Sequence, residues 1–500
     1  MKIKMNRLAK KLLCTSLVGL LFLGGCSSSE SAKVGLDPKN PITISLWHYQ
    51  DSAAKVLLDS QIATFNETIG KDEGIIVEAK SYGKSEKLKE VVIDAAKKKI
   101  GSEPLPNIFT AYPDNAYLID QLVGLVDLEE YFSKKELEQY NQIFLENDRI
   151  GKDNKLKLIP VSKSTEAIFI NQNEWEAFAN ATNTKEEELA TWEGMKGVAK
   201  RYYEWTDEKT VELNDGKAFW GMDSMYHFML MLTKSAGGTM YKTDNENKTT
   251  FVYSEEDAKR AWDIYYEGYL SGWYKKENSY TSADVSAGTI IASVMSSAGG
   301  NYFPTKITVD KGTSTKVTCK VLPYPSLKGG KHYAPIRGMD MSISKSDKAH
   351  EYASALFLKW FTKPEQNSIF TASIGFLPVQ KAALSEESIK QARETAKKDS
   401  PNPAITKALQ TAQHMLSDYT MYNNKPFAGE YDVKALLESS LPQNAQRDLK
   451  QVEMRVQNGE DRKAVIAEYN SDEHFNQWYN KLVKDANAMI EKNSEENSGN

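Results

Sequence analysis

Residues 42–49, Ile-Thr-Ile-Ser-Leu-Trp-His-Tyr, begin the strand–helix–strand alternation that decides the fold class of this 500-residue chain. Apolar and polar residues alternate over 42–46, as in a half-buried strand. A helical apolar pattern follows over 58–69, and two further short apolar runs, 75–77 and 107–110, each precede another helical stretch. Because such alternation builds a mostly parallel sheet covered by helices, the sequence predicts an α/β fold.

Aromatic and polar side chains follow each of these three strands. The first strand ends in His48 and Tyr49, the second is followed by Tyr82, and the third is followed by Tyr112 and Asp114. Ligands of open parallel sheets bind in the crevice outside the carboxyl ends of the strands. The pattern therefore predicts a ligand-binding site at this edge, with the alternative that the aromatic residues only cover the end of the sheet.

A second α/β unit is predicted from about residue 165. The runs 156–161, 167–170 and 290–295 have the pattern of strands, and helical patterns dominate after residue 380. The last of these strands runs into Ser-Ser-Ala-Gly-Gly-Asn-Tyr (296–302), whose glycines let a ligand approach the backbone closely. A chain of this length exceeds what one hydrophobic core supports, so two or more globular units are expected.

The first 26 residues predict export and lipid attachment. Five basic residues precede the uncharged run 12–23, which is too short for a permanent membrane span and fits the core of a cleaved signal peptide. Leu23-Gly24-Gly25-Cys26 resembles the lipobox of bacterial lipoproteins, in which cleavage precedes the cysteine and lipid is attached to its sulfur. The resemblance implies a signal peptide over 1–25, palmitate on Cys26, and a location on the extracytoplasmic side of the cell membrane. The polar composition predicts a flexible tether over 26–40.

Charge and cysteine content argue against several kinds of partner. The chain has a formal net charge of −5, and since residues 1–25 carry five basic and no acidic residues, the remainder carries −10. An acidic protein is not expected to bind nucleic acid, which requires clustered Lys and Arg. Only Cys319 lies beyond Cys26, so no intramolecular disulfide is expected. Six scattered His residues predict no metal site, and without a phosphate-binding loop no cofactor is expected.

Five segments spread over most of the chain carry a family resemblance: 42–47, 158–171, 296–302, 337–343 and 353–381. In the last and most specific of them, a helix ended by Pro364 is followed by Gly375-Phe376-Leu377-Pro378-Val379. Together, in this order, the segments resemble the family 1 (carbohydrate-type) extracellular solute-binding lipoproteins of ABC importers, which are similar to maltodextrin-binding proteins.

The resemblance implies a two-lobed, periplasmic-binding-protein-like (Venus flytrap) fold with three crossovers between the lobes, near 162–167, 335–342 and 372–379. It implies a monomeric, non-enzymatic protein that binds a carbohydrate in the cleft, closes by a hinge motion, and delivers the sugar to the membrane subunits of an ABC permease. The predicted organisation is an N-terminal lobe over 41–163 and 340–372, a C-terminal lobe over 167–335 and 378–490, and a disordered tail over 491–500.

Sugar chemistry guides the choice of candidate binding residues. The C–H face of a pyranose packs on an aromatic ring, and its hydroxyls need paired donors and acceptors. From the N-terminal lobe we select His48, Tyr49, Tyr82, Tyr112 and Asp114, from the crossovers Ser164, Glu166, Arg337 and Asp340, and from the C-terminal lobe Asp223, Tyr226, His227, Asn301 and Tyr302.

Several of these residues also have a purely structural interpretation. Trp47 and Tyr226 could belong to the core, and Asp114 could cap its helix. Glu166 could form a solvated hinge pair with Lys163, and Arg337 could balance Asp340.

Other functions remain open at this stage. The same fold could bind a polyamine or another cationic solute, or serve as an adhesin or a partner of a sensor without import. A tethered glycoside hydrolase would need two carboxylates across the scissile bond, and with 68 acidic residues their presence decides nothing. The chain has neither a Gly-x-Ser-x-Gly elbow nor a His-Glu-x-x-His motif.

Overall fold

A computed structural model describes residues 30–245, 248–309, 313–396 and 402–498. The predicted signal peptide and Cys26 lie outside the described residues. The structure is α/β, with two main sheets that are each covered by helices.

The strands are β1 Ile42–His48, β2 Ile75–Ser81, β3 Ile108–Ala111, β4 Arg149–Ile150, β5 Lys155–Leu156, β6 Ile159–Ser164, β7 Glu166–Asn171, β8 Trp220–Met222, β9 Tyr241–Thr243, β10 Thr249–Phe251, β11 Ala292–Ser296, β12 Lys306–Val309, β13 Thr313–Lys316, β14 Cys319–Leu322, β15 Tyr333–Pro335, β16 Arg337–Ile343 and β17 Thr420–Tyr422.

The helices are α1 Glu30–Lys33, α2 Ser52–Glu67, α3 Ile69–Glu73, α4 Ser85–Ala96, α5 Pro113–Val123, α6 Lys134–Leu137, α7 Gln142–Asn147, α8 Gln172–Thr182, α9 Trp192–Asp207, α10 Met225–Ser235, α11 Glu255–Leu270, α12 Thr281–Ser286, α13 Lys348–Phe361, α14 Pro364–Ile374, α15 Glu386–Ala396, α16 Pro403–Asp418, α17 Glu430–Gln457, α18 Arg462–Tyr469 and α19 Asp472–Ser498. Short 3-10 turns lie at Leu128–Glu130, Glu186–Ala190, Ser297–Asn301 and Lys381–Ala383.

The N-terminal lobe is built on a five-stranded sheet in the order β2-β1-β3-β16-β6. The first three strands are parallel, whereas β16 runs antiparallel to both β3 and β6. Ile44 and Leu46 of β1 are fully buried against the apolar face of α2, which presents Leu58, Ile62 and Phe65. The alternation at 42–46 thus places one face of the strand in the core, as its pattern predicts.

The C-terminal lobe is built on a four-stranded sheet in the order β14-β7-β11-β8. Strand β7 runs antiparallel to β14 and β11, and β11 runs parallel to β8. Helices α10, α11, α17 and α19 pack on one another, and α16 packs on β14 and on the 3-10 turn after β11.

The chain crosses between the sheets three times, so the predicted two-lobed α/β fold with three crossovers is confirmed. Strand β6 continues through Thr165 into β7, and β15 continues into β16. At the third crossover, the N–H of Leu377 donates to the carbonyl of Lys163 at 2.7 Å, and the N–H of Lys163 donates back at 3.1 Å. Gly338 has φ +149°, and a Cβ there would lie 2.1 Å from the carbonyl oxygen of Ser162, so β16 can approach β6 this closely only with glycine.

Both ends of the described chain are more ordered than the sequence analysis predicts. Within the expected tether, Glu30–Lys33 is helical and Leu36 is only 5 % exposed in the main core. At the other end, α19 continues to Ser498, where a disordered tail is expected from residue 491. The amphipathic pattern upstream extends α19 into these polar residues, because a helix already nucleated adds turns at little cost.

Candidate functional site

Glu166, His227 and Arg337 meet where the first two crossovers lie side by side. One carboxylate oxygen of Glu166, Oε1, lies 2.7 Å from Nδ1 of His227 and accepts a hydrogen bond from Nη1 of Arg337 at 2.8 Å. Glu166 begins β7 of the C-terminal lobe, whereas Arg337 begins β16 of the N-terminal sheet. The cluster therefore links the two lobes through one buried carboxylate.

Electrostatics keep this cluster in a single charge state near neutral pH. Burial would raise the pKa of Glu166, but His227 and Arg337 outweigh it and hold the pKa below its usual range. Burial lowers the pKa of His227 despite the adjacent carboxylate, so the imidazole is neutral at pH 7. A neutral imidazole beside an ionised carboxylate carries its proton on Nδ1, since the carboxylate can only accept.

The start of α10 orients His227. The hydroxyl of Ser224 accepts the backbone N–H of His227 at 3.1 Å and caps the helix. The carboxylate of Glu438, from α17, accepts both the Ser224 hydroxyl and the N–H of Met225. A carboxylate at a helix N-terminus is electrostatically favourable, and here it fixes the first turn that carries His227.

Tyr49 and Tyr112 form an aromatic surface on the N-terminal lobe. Their rings are stacked at a centroid distance of 6.0 Å and an interplanar angle of 19°, with hydroxyl oxygens 3.5 Å apart. Burial raises the pKa of the Tyr49 hydroxyl, whereas the positive charge of nearby Arg337 lowers it. The aromatic pair is therefore a neighbour of the Glu166–His227–Arg337 cluster, as the rule for strand ends predicts.

Tyr226, at the start of α10, and Asp114, at the start of α5, belong to different lobes. Tyr226 is fully buried, and Nζ of Lys434 lies 5.3 Å from the centroid of its ring. Burial raises the pKa of Tyr226, and Asp114 is among the charges that add to this shift. Asp114 lies in the first turn of α5 and not at its cap, which is Tyr112. Full burial of Tyr226 agrees with its structural interpretation as a core residue.

A contact outside the crossovers also joins the lobes. Nζ of Lys89, on α4, lies 3.0 Å from the centroid of the Tyr431 ring, at the start of α17. The neighbouring Glu430 is buried, and both this burial and the charge of Asp114 raise its pKa. The first turn of α17 thus reaches the N-terminal lobe and forms part of the cleft.

The other predicted residues are held in different surroundings. His48 is fully buried, and its Nδ1 accepts the N–H of Gln50 at 3.1 Å. Tyr82 packs on Trp47 at 5.2 Å, and Trp47 is itself buried, in agreement with its structural interpretation. Ser164 is buried and accepts the hydroxyl of Ser296 at 3.3 Å.

Asp223, Asn301 and Tyr302 lie around the C-terminal lobe. Asp223 accepts both the N–H and the hydroxyl of Thr281, each at 2.8 Å, and burial raises its pKa. Asn301 ends the 3-10 turn after β11, and its carbonyl accepts the amide of Asn402. Tyr302 is 74 % exposed, so the structure does not enclose it in the cleft.

Asp340 is a hinge residue in the structure and not part of the cleft surface. Nζ of Lys163 lies 2.5 Å from Asp340 and 2.9 Å from Asp148, and all three side chains are at most 2 % exposed. The proposed solvated pair of Glu166 and Lys163 is therefore wrong, since both residues are buried with separate partners. The proposed pair of Arg337 and Asp340 is also not formed, because Arg337 bonds to Glu166.

The sequence analysis missed Lys89, Asp148, Lys434 and the start of α17. Asp148 follows a short amphipathic stretch without any site signal. The α17 residues lie about 90 positions beyond β16, and nothing in a single sequence places that helix over the cleft. Lys163 lies between Ser162 and Ser164, a polar run that gives no sign that this lysine is buried with two carboxylates.

A separate cavity of about 240 Å³ borders Asp223 on the C-terminal lobe. Its walls come from β8 and the turn to α10, from α11 and the segment after it, and from the middle of α17. They comprise Trp220, Gly221, Met222, Asp223, Met225, Tyr265, Tyr269, Tyr274, Lys275, Lys276, Glu438, Pro442, Gln443 and Gln446.

The described part of the chain has neither a candidate metal site nor a candidate membrane span. No group of three or more His, Cys, Asp or Glu side chains there could hold a metal ion. None of the helices in 30–245, 248–309, 313–396 and 402–498 is long and apolar enough to cross a membrane.

Comparison with known proteins identifies the family. Residues 60–397 match the model of the bacterial extracellular solute-binding proteins. The chain belongs to this family. No curated protein sequence matches this solute-binding protein significantly.

Solved structures give the same fold for this solute-binding protein. The cyclic α-maltosyl-1,6-maltose binding protein of Arthrobacter globiformis is similar with a TM-score of 0.64 and 16 % identity, over 91 % of this chain and 100 % of that chain. A periplasmic solute-binding protein of Pectobacterium atrosepticum is similar with a TM-score of 0.63 and 13 % identity, over 90 % of this chain and 99 % of that chain. The maltose/maltodextrin-binding domain of Bdellovibrio bacteriovorus, bound to maltotriose, is similar with a TM-score of 0.57 and 15 % identity, over 90 % of this chain and 99 % of that chain. At these identities the likeness shows the fold alone.

Proposed function

We propose that this protein is the lipid-anchored substrate-binding component of an ABC importer and captures a neutral oligosaccharide between its lobes. The observation that carries the proposal is the aromatic pair Tyr49–Tyr112 beside the Glu166–His227–Arg337 cluster. Stacked rings offer a flat apolar surface to the C–H face of a pyranose, and the polar cluster offers donors and acceptors to its hydroxyls.

The charge balance of the cluster supports a neutral ligand. Glu166 is already matched by Arg337, and His227 is neutral at pH 7, so the cluster carries no surplus charge to pair with an ion. Sugar binding by the similar proteins of Arthrobacter globiformis and Bdellovibrio bacteriovorus is consistent with this choice. The protein acts by binding and release and is not an enzyme.

A cationic solute such as a polyamine is the second candidate. Burial raises the pKa of Glu430, and the negative charge of Asp114 raises it further. A ligand ammonium group near these two carboxylates would offset the repulsion between them.

A thermal-shift screen of the form that begins after Cys26 separates these functions. Mono- and oligosaccharides are tested against polyamines and amino acids. Ligand at about 100 times its Kd adds roughly 2.7 kcal/mol of stability, which is readily visible in Tm. A rise with one class of sugar, recovered intact, supports the proposal. A rise in Tm with polyamines alone would refute sugar binding and leave the role as a substrate-binding protein intact. Sugar recovered as fragments would instead indicate a hydrolase.

Anchoring through Cys26 is tested separately by cell fractionation. The full chain is expressed in a bacterium beside its Cys26→Ser variant. We expect the parent in the membrane fraction and the variant in the soluble fraction, since the sulfur that carries the lipid is absent. Equal membrane retention of both forms would contradict lipid anchoring at this cysteine.

A further inference from the structure

The three side chains of the Glu166–His227–Arg337 cluster differ in how much of each a ligand can reach. The side chain of Glu166 is 1 % exposed, that of His227 is 6 % exposed, and that of Arg337 is 36 % exposed. Oε1 of Glu166 already lies within hydrogen-bond distance of both neighbours. A ligand can therefore touch the imidazole and the guanidinium, whereas the carboxylate acts on a ligand only through them.

The second ring nitrogen of His227, Nε2, is the atom left for a ligand. Within the described part of the chain the imidazole makes one hydrogen bond, through Nδ1 to Glu166, so Nε2 has no partner there. Nε2 is also not among the fully buried unpaired polar atoms of those residues, so part of its surface is accessible. Because Glu166 holds the ring proton on Nδ1, Nε2 carries a lone pair and can only accept a hydrogen bond.

Arg337 supplies donors next to this acceptor. A guanidinium has five N–H groups, and the side-chain hydrogen bond that Arg337 makes with the described residues uses only Nη1. Nδ1 of His227 and Nη1 of Arg337 bond to the same oxygen at 2.7 and 2.8 Å, so these two nitrogens are at most 5.5 Å apart. Hydroxyls of a single sugar ring can reach both side chains over such a distance.

Strand pairing places this acceptor and these donors beside the aromatic pair. Ala111 of β3 pairs with Asp340 of β16, and the two strands are antiparallel. The next residue along β3, Tyr112, therefore lies towards the end of β16 that begins with Arg337. Tyr49 stacks on Tyr112, so an aromatic surface and hydrogen-bonding groups meet at one end of the sheet.

The charges around His227 favour a hydroxyl over an ammonium group. An ammonium group that donates to Nε2 would lie beside the guanidinium of Arg337 and near Lys434, whose Nζ is 5.3 Å from the ring centroid of the adjacent Tyr226. Like charges repel at such distances. A hydroxyl avoids this repulsion, because it donates through its hydrogen and accepts through its oxygen.

We propose that His227 is a specificity-determining residue whose Nε2 accepts the hydrogen of a sugar hydroxyl, while Arg337 donates to an oxygen of the same sugar ring. Glu166 is a positioning residue, which fixes the tautomer of His227 without touching the ligand. The inference rests on the proposed function and assigns separate roles within its polar cluster. Binding then depends on which ring nitrogen of His227 carries the proton.

Two variants of Glu166 separate positioning from packing. Glu166→Gln keeps an oxygen that can accept from both neighbours, whereas Glu166→Met has a similar length and no such acceptor. In calorimetric titrations with maltose, maltotriose, maltotetraose and the matching β-1,4-linked glucose oligomers, we expect Glu166→Gln to bind within about three-fold of wild type. Glu166→Met should bind at least about ten-fold more weakly, as for one lost hydrogen bond.

Asp448→Asn is the matched control for these variants. Asp448 is also buried beside a histidine, with its Oδ2 2.9 Å from Nε2 of His474, but this pair lies among the helices of the C-terminal lobe. The substitution should leave the Kd for sugar unchanged. Glu166→Met binding as tightly as the wild type would refute the positioning role of Glu166.

Nitrogen-15 NMR of the imidazole rings reports the tautomer without any ligand. The His227 signals are assigned by their loss in His227→Asn. Nε2 should resonate as an unprotonated nitrogen in the wild type and in Glu166→Gln, and as an at least partly protonated one in Glu166→Met. A bound sugar should move the wild-type Nε2 signal towards the protonated position.

The outcomes distinguish this inference from the proposed function. A protonated Nε2 in the free wild-type protein, or an Nε2 signal that does not move when a sugar binds, would refute the inference and leave the proposed function intact. Absence of binding to all of these sugars would refute the proposed function and the sugar contact of His227. The ligand-free spectra would still decide whether Glu166 fixes the tautomer.

Discussion

Replacing Lys163 by methionine should reveal how the hinge is held together. Nζ of Lys163 lies 2.9 Å from one carboxylate oxygen of Asp148 and 2.5 Å from one of Asp340, so these two oxygens are at most 5.4 Å apart. Burial lowers the pKa of Lys163 but the two carboxylates outweigh it, so the ammonium stays charged. Lys163→Met leaves two buried carboxylates that face each other without a counter-charge.

The expected loss follows from Coulomb repulsion. With an effective dielectric constant of about 20, two unit charges 5.4 Å apart repel by about 3 kcal/mol. Removal of one partner from a buried ion pair typically costs about 3–5 kcal/mol, which agrees with this value. We therefore expect Lys163→Met to lower the free energy of unfolding by about 3–5 kcal/mol at pH 8.

The loss should depend on pH in a defined direction. Burial, with the charge of the other carboxylate, raises the pKa of Asp148, and burial raises that of Asp340. The folded state then holds a proton that the unfolded state has released, so stability falls as pH rises from the ordinary aspartate range through the raised pKa. Without Lys163 this effect is larger, so the variant should lose less stability at pH 5 than at pH 8.

Urea denaturation at pH 5 and pH 8 measures both quantities. Lys55→Met is the control, because its exposed pair with Asp59 should contribute less than about 1 kcal/mol at either pH. A loss below about 1 kcal/mol for Lys163→Met at pH 8, or an equal loss at both pH values, would refute the reasoning.

Two further predictions concern a buried histidine and the contact between the lobes. Burial lowers the pKa of His48 to about 4, so the unfolded chain takes up a proton before the folded one, and stability should fall by about 3 kcal/mol between pH 7 and pH 4. His48→Asn should remove that part of the slope in urea titrations, and an unchanged slope would mean that the pKa of His48 is the same in the folded and unfolded states. Tyr431→Leu removes the cation–π contact with Lys89, so the Kd of the sugar found in the thermal-shift screen should rise about two- to ten-fold, chiefly through faster dissociation in stopped-flow fluorescence. Tyr280→Leu, at a 69 % exposed tyrosine, should leave both constants unchanged.

The fold could be predicted well because its signals are local. The alternation at 42–46 and the apolar stripe of α2 each identify the buried face of their element from residues that are close in sequence. The crossovers were predicted from the family resemblance, and Gly338 and Gly375 lie there at backbone positions that side chains would block or strain. The ends were less predictable, because the burial of Leu36 depends on partners far away in the chain.

The site was only partly predictable because burial decides which polar residues face a ligand. Tyr49, Tyr112, Glu166, His227 and Arg337 come together as strand ends and crossovers imply. The carboxylate of Asp340, from the same strand as Arg337, instead faces a buried lysine. Successive side chains along a strand point to opposite faces, so Arg337 and Asp340, three residues apart in β16, face opposite sides of the sheet. This alternation could be read from the sequence, whereas the buried partners on the Asp340 side, Lys163 and Asp148, could not.

Closure of the cleft depends on contacts that exist only when the lobes are together, and α17 supplies one of them. Burial at the contact with Tyr431 lowers the pKa of Lys89, so this ammonium has given up part of its hydration in exchange for the ring and the nearby carboxylate of Asp114. A ligand can shift the opening equilibrium only by its difference in affinity for the two states. A contact that already favours the closed state reduces the shift that the ligand must supply and raises its apparent affinity.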